Sequence, residues 1–452
     1  MGRLSRAPDR RVPASLGLVI GLAVLAPSCR IARPGGSATE PAGVFPIHGT
    51  WQTRLRHRRT SGDQDSDLTS TLRADAGDRQ RDVVTAHLVA RGEFDLDDSG
   101  SGTDPFYDVD DARDSDLATR VLQGYADVHA LEDLEVLRVG RQPLDETPEA
   151  LTIDGLRVES RERGESALRL GAYGGKPTHF FESSSRGDLV VGTYAEARPW
   201  KGGLARLDWM HLEDDLVLGN ERDDLVALSA RHAEGRLRVD GGVSLLDGDG
   251  RDLRSRASWT DIGQGLLVRL AYYRLLETQG SLVTSLDPFT EALLEYEPFH
   301  RIGLDVAKTL GPVTRVELGS ELRRLVHAAD EGPFNREYER YRLRLARDEI
   351  LGRPWHAGAG VEHWSGEPSS TTTWSADLGR EWDERWSLDL SSTYALWDLD
   401  LVSLDERRDV RTYGLELRHE LTERVRLELL YEYEDDDLDH YHVLRGGLRW
   451  SF

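Results

Sequence analysis

Arginines and carboxylates set two residues apart are the groups in this chain whose types and spacing could do chemistry. Arg236 and Arg238, Arg254 and Arg256, Arg342 and Arg344, and Arg424 and Arg426 recur as such pairs, and Arg269, Arg301, Arg315, Arg445 and Arg449 follow the same alternation. Asp240, Asp305, Glu317, Asp377, Asp389, Glu416, Glu428 and Glu432 stand in matching positions. The guanidinium fork holds carboxylate and phosphate groups bidentately, which an ammonium cannot. A surface carrying these forks in register could therefore steer anions. Equally, the forks could face their own carboxylates and form a mutually neutralised wall. Lysine contributes little, at Lys176, Lys201 and Lys308.

Other constellations are weaker. Asp95, Asp97 and Ser99, followed by Gly100, begin the oxygen-ligand spacing of a calcium loop, but Phe106 stands where the closing glutamate belongs. The stretch reads as a solvated acidic loop that attracts divalent cations diffusely. His440 and His442 share a face after Asp435, Asp436 and Asp437, and read as a polar turn entering a strand. No local motif marks a nucleophile with its base, a phosphate-cradling loop or a cysteine cluster, so neither catalysis nor a cofactor is expected.

The elements that must position the arginines repeat with period two. Leu427, Leu429, Tyr431 and Tyr433 alternate with Arg426, Glu428 and Glu432, and Leu444, Gly446, Leu448, Trp450 and Phe452 alternate with Arg445, Gly447 and Arg449. The same texture holds at Leu237–Val243, Leu253–Trp259, Ile302–Val306, Trp386–Leu390 and Tyr413–Leu417. Alternation of this kind marks strands with one apolar and one polar face. Short connections, such as Ala233-Glu234-Gly235 and Gly311-Pro312, are interspersed with long acidic ones at 95–116, 277–297 and 328–336.

Charge and hydropathy narrow the class. A net charge of -24 excludes a nucleic-acid binder, which needs a basic surface. After residue 30 no run approaches the ~20 apolar residues of a membrane-spanning helix. A barrel strand shows lipid only at every second residue, so a mean hydropathy of -0.51 is compatible with one. The expected fold is all-β: a transmembrane antiparallel up-and-down β-barrel of about 18–20 strands over residues 47–452. Trp51, Trp200, Trp355, Trp364, Trp382 and Trp397 lie near strand ends, as an interfacial aromatic belt requires.

Residues 1–29 have the layout of an export signal, with Arg3, Arg6, Arg10 and Arg11 before the apolar run Leu16–Leu25. Cys29 stands where a lipoprotein signal places its lipidated residue, but Ala26-Pro27 departs from that pattern, so lipidation and plain cleavage both stay open. Residues 30–46 read as a short linker. A last amphipathic strand with outward Trp450 and Phe452 looks like the insertion signal read by the barrel-assembly machinery of bacterial outer membranes.

Gln123–Val128, Leu137–Gln142 and Ile153–Val158 together resemble the alginate-export and related porin-like barrels. The centre of the likeness is a strand running into a turn at Gly140-Arg141-Gln142, followed by the Asp154-Gly155-Leu156 return strand. Pro143–Pro148 departs from the glycine-rich pattern of that family. The resemblance implies a barrel in outer-membrane lipid, not alginate as cargo. The functional expectation is a channel for passive diffusion or export of hydrophilic solutes, anions among them. Two other readings are a non-conducting barrel that anchors a partner and, third, a barrel enzyme.

Overall fold

The computed structural model describes residues 46–452, apart from 97–116, 130, 179–187, 217–218, 278–296, 328, 330–334, 351, 367–369, 384, 400–405 and 438. Described residues of the first half form β1 (Ile47–Arg59), β2 (Gln64–Ala76), β3 (Val84–Asp95), β4 (Leu117–Val128), β5 (Leu134–Leu144), β6 (Leu151–Ser160), β7 (Arg169–Pro177), β8 (Leu189–Ala197), β9 (Gly203–Leu216), β10 (Gly219–Glu234) and β11 (Leu237–Leu246). The second half forms β12 (Asp249–Asp261), β13 (Leu266–Leu275), β14 (Phe299–Leu310), β15 (Thr314–Leu325), β16 (Tyr338–Arg347), β17 (Trp355–Ser365), β18 (Ser370–Trp382), β19 (Trp386–Leu399), β20 (Glu406–Thr422), β21 (Val425–Asp435) and β22 (His440–Ser451).

Each strand pairs antiparallel with the next, and β22 returns to β1, so one ladder closes without an edge. The barrel therefore has 22 strands, not the 18–20 expected. At the seam Trp51 faces Trp450 and Thr53 faces Leu448, while Phe452 exchanges two backbone hydrogen bonds with Gly49.

The two ends differ. At the end that holds Ile47 and Phe452, no connection is longer than residues 161–168. The long connections 96–116, 178–188, 276–298 and 326–337 all lie at the other. Short turns facing the periplasm and longer loops facing outward are the habit of bacterial barrels.

Side-chain alternation gives the wall its two faces. Leu343 and Leu345 on β16, Leu318 on β15, Leu304 on β14, Leu270 on β13 and Leu427 on β21 all leave more than a third of their surface exposed on one face. Aromatics rim that apolar face. Trp51, Trp355, Trp382, Trp386 and Trp450 lie toward the turn end, and Tyr272, Tyr341, Trp374, Tyr394 and Tyr433 toward the loop end. On β18 the rims at Trp374 and Trp382 are eight residues apart. That is ~26 Å along a strand, or ~20 Å along the axis of a barrel whose strands tilt by ~40°. Trp200 lies in the β8–β9 turn, and the side chain of Trp397 lies outside the described ones. Trp364 departs from the belt expected of it. It shares a face with Glu362 and points inward, where its Nε1 donates to Glu362 and Arg340 lies 4.7 Å from its ring.

Candidate pore wall

Which face looks inward is fixed by contacts that skip strands. The connection 145–150 joins β5 to β6, yet Glu146 pairs with Arg206 on β9 at 3.3 Å and Glu149 pairs with Arg251 on β12 at 2.9 Å. A link from β6 to β12 has to run through the interior. The alternation of Arg206 with outward Leu207 then sets the inward parity for the whole ladder. Arg251 reaches the strap from a register shift beside Gly250, where it is the extra residue of a bulge. Bulges commonly re-aim a side chain in this way.

Beside the strap's anchor Arg206 the inner wall carries an apolar patch. Leu144, Leu151, Ile153, Tyr173, Val190, Tyr194, Met210, Leu212 and Leu225 pack as one buried cluster, with Leu246 against it, so seven consecutive strands contribute. Tyr173 and Tyr194 lie flat across the neighbouring strand. A Cβ on Gly192 or Gly171 would sit 2.2 Å from one of their ring atoms. Arg206 stacks over Tyr194 at 4.0 Å and donates to Asp208 at 2.8 Å.

Around the rest of the barrel the described inner wall is mostly polar, with a smaller apolar cluster of Leu275, Phe299 and Leu325 against Tyr273 at the loop end of β13–β15. Of the predicted arginines, Arg238, Arg254, Arg256, Arg342, Arg344 and Arg426 occupy inward strand positions. Arg236 and Arg424 do not. Each sits in a two-residue turn, and Arg236 pairs there with Asp261. Nor do Arg342 and Arg344 project freely, as an arginine track would need. Arg342 reaches over Gly319 to Asp305 two strands away, where a Cβ on that glycine would lie 2.2 Å from the Arg342 Nε. Arg344 passes Gly358 to reach Asp377 on β18 at 2.7 Å. Arg426 pairs with Glu420, Arg445 with Glu432 at 2.8 Å, and Arg315 with Glu317 at 2.7 Å. Glycines at the crossing points let these side chains lie along the wall. That sector matches the neutralised-wall reading.

Gly140-Arg141-Gln142 is not a turn but lies within β5. Gly140 takes a positive φ of 121°, and a Cβ there would sit 2.3 Å from the Gly124 carbonyl oxygen. Arg141 faces outward and is held by both oxygens of Asp154 at 2.8 and 2.7 Å, so it is not a pore residue. Gln142 is buried on the inner side and donates to the Gly155 carbonyl.

Asp95 ends β3, whereas Asp97 and Ser99 lie outside the described residues, as does Cys29. His442 sits on the outer face against Tyr431 and Tyr433. Among the described residues no group of three or more His, Cys, Asp or Glu is placed to hold a metal.

Sequence reasoning missed the strap and its anchors. The turn-forming run Asp145-Glu146-Thr147-Pro148 was visible, but Arg206 and Arg251 lie 60 and 102 residues beyond their partners.

No known family profile matches the chain, and no curated protein does. Among solved structures it is similar to OccK3 (OpdO) of Pseudomonas aeruginosa, with 14% identity, a TM-score of 0.42, and 90% of this chain and 95% of that one covered. The P pilus usher (PapC) translocation pore is similar at 9% identity and a TM-score of 0.49, with 90% and 99% covered. A BenF-like porin from Pseudomonas fluorescens Pf-5 gives 10% identity and a TM-score of 0.46, with 90% and 98% covered. At such values the cargoes of those proteins say nothing about this one, whose barrel stands on its own closed ladder.

Proposed function

We propose that this chain is a bacterial outer-membrane channel through which small hydrophilic solutes diffuse down their gradients. The observation that carries the reading is a 22-strand ladder, closed by β1–β22, with an apolar, aromatic-rimmed outer face and a charged inner face. Such a wall leaves no unpaired backbone edge in hydrocarbon and suits lipid outside with water inside. The strap at 145–150 narrows the lumen on the β6–β12 side. Residues 1–29 serve as the export signal and 30–46 as a linker, and Trp450 with Phe452 is presented to the assembly machinery. The likeness to alginate-export barrels is confined to β4–β6, so no polysaccharide is named as cargo.

Planar-bilayer recording of the purified chain tests this reading. Discrete conductance steps are expected, and a protein that inserts without conducting would refute it. The opposite reading, a closed barrel that anchors a partner, has one observation in its favour: the inner apolar cluster, which a wide aqueous pore does not need.

A further inference from the structure

Many inner-face arginines are ion-paired with a carboxylate, but four that line one recess are not. Arg231 on β10, Arg254 and Arg256 on β12 and Arg301 on β14 border a recess of about 740 Å³ beside the strap. Among the described residues no carboxylate lies within 4 Å of any of them. The register arranges them in two rows. Arg254 and Arg301 flank Tyr273, and Arg231 and Arg256 flank Asp240. Alternate strands are ~10 Å apart and the rows are two residues, or ~7 Å, apart, which is the span of a small molecule with two acidic groups. Asp240 stands between two of them, more than 4 Å from each, and the other carboxylates lining the recess are engaged elsewhere. Glu146 and Glu196 lie 3.3 and 3.8 Å from Arg206, Asp240 leans 3.8 Å toward Arg238, and Glu321 accepts from the Tyr338 hydroxyl. Arg301 keeps its place over the Tyr273 ring at 5.5 Å.

Four like charges held this close repel one another, and an anion that accepts from two or more forks removes that repulsion while forming charge-assisted hydrogen bonds. We propose that the recess is a binding site for small anions bearing two or more negative charges on carboxylate or phosphate groups, which pause there during passage. The site rests on the channel reading for its access route. Its chemistry is that of Arg231, Arg254, Arg256 and Arg301.

The test is single-channel recording of the full chain with succinate, inorganic phosphate or the monovalent control acetate added. Succinate, phosphate or both should interrupt the current at concentrations where acetate does not, and the effective probe names the preferred group. Arg254→Gln with Arg256→Gln should weaken the block about tenfold or more. Retained heat-modifiable gel migration would show that this variant is folded, and Arg301→Gln gives a milder second variant. An open channel that neither probe blocks, or a double variant as sensitive as the parent, overturns the site. A silent bilayer refutes the channel reading alone. The site is then read by calorimetric titration of the same probes into micellar protein, where absence of binding heat overturns it.

Discussion

On β8–β10 the inward side chains of Val190, Met210, Leu212 and Leu225 keep no exposed surface, whereas on β14 and β16 those of Asp305 and Arg342 keep nearly half of theirs. Both sectors belong to one ladder with one alternation. What differs is the burial. Beside the first sector runs the strap, tied down by Glu146–Arg206 and Glu149–Arg251. Over the second, glycines at 319 and 358 let arginines lie flat beside their carboxylates and leave the wall low. One alternation thus carries a buried apolar inner surface in one sector and a half-exposed charged one in the other.

The largest effect that could break this comparison is a charge placed in the buried apolar cluster. Met210→Asp should destabilise the protein by ~3 kcal/mol or more, because a buried carboxylate there has no partner. Ala307→Asp, inward on the open β14, should cost under ~0.5 kcal/mol. Urea unfolding in micelles would measure both, and equal costs would dissolve the distinction.

Next in size is the outer face. Leu427→Arg should cost ~2–4 kcal/mol, depending on depth in the bilayer. Its inward neighbours Arg426 and Glu428, replaced by cysteine, should react with a hydrophilic thiol reagent in intact membranes. Reversed labelling would show that the faces are assigned the wrong way round.

A smaller effect is expected from Glu146→Gln with Glu149→Gln. Glu146 is largely exposed but Glu149, Arg206 and Arg251 are mostly buried, so the two pairs together are worth on the order of 2 kcal/mol, and the barrel should stay folded while the strap loosens and single-channel conductance rises. Conductance identical to the parent would mean that the apolar cluster alone holds the strap.

The smallest effect tests the neutralised wall. Arg342→Gln with Arg344→Gln would bare Asp305 and Asp377 and move the reversal potential in a salt gradient toward cations. Adding Asp305→Asn and Asp377→Asn should bring it back close to the parent value. A fourfold variant that stays cation-selective would show that the two arginines act as free charges.

Legibility in the sequence followed the same division. Along β11–β22 one face is apolar and the other charged, so segments such as Leu427–Tyr433 announce themselves as strands. On β7–β10 both faces are apolar, with inner Tyr173, Val190, Met210 and Leu212 beside outer Leu170, Val191, Leu207 and Trp209. Period two fades there, and Gly171, Gly174, Gly175 and Gly192 thin it further, so the segments can be counted only as roughly 18 to 22, of which 18 or 20 is preferred and 22 is found. Apart from Arg236 and Arg424, which sit in turns, the arginine positions were legible as an inward set, but their pairing was not. Whether a fork is free depends on partners one or two strands away and on a glycine between them. Trp364 was recoverable, since it shares parity with Glu362, not with Val361 and His363.

The seam between β1 and β22 has a kinetic consequence. Every other ladder joins neighbours in the chain and can form as a hairpin, whereas this one joins Thr50 to Ser451 and Arg59 to His442. Closing a flexible loop of ~400 residues would cost ~5 kcal/mol in chain entropy by the logarithmic rule. The cost falls only once the intervening hairpins have zipped and curled into an arc that carries its two margins toward each other. Closure is therefore the last event of assembly, and the nascent sheet exposes two unpaired margins until it happens. A catalyst that shields those margins would act on this step more than on any other.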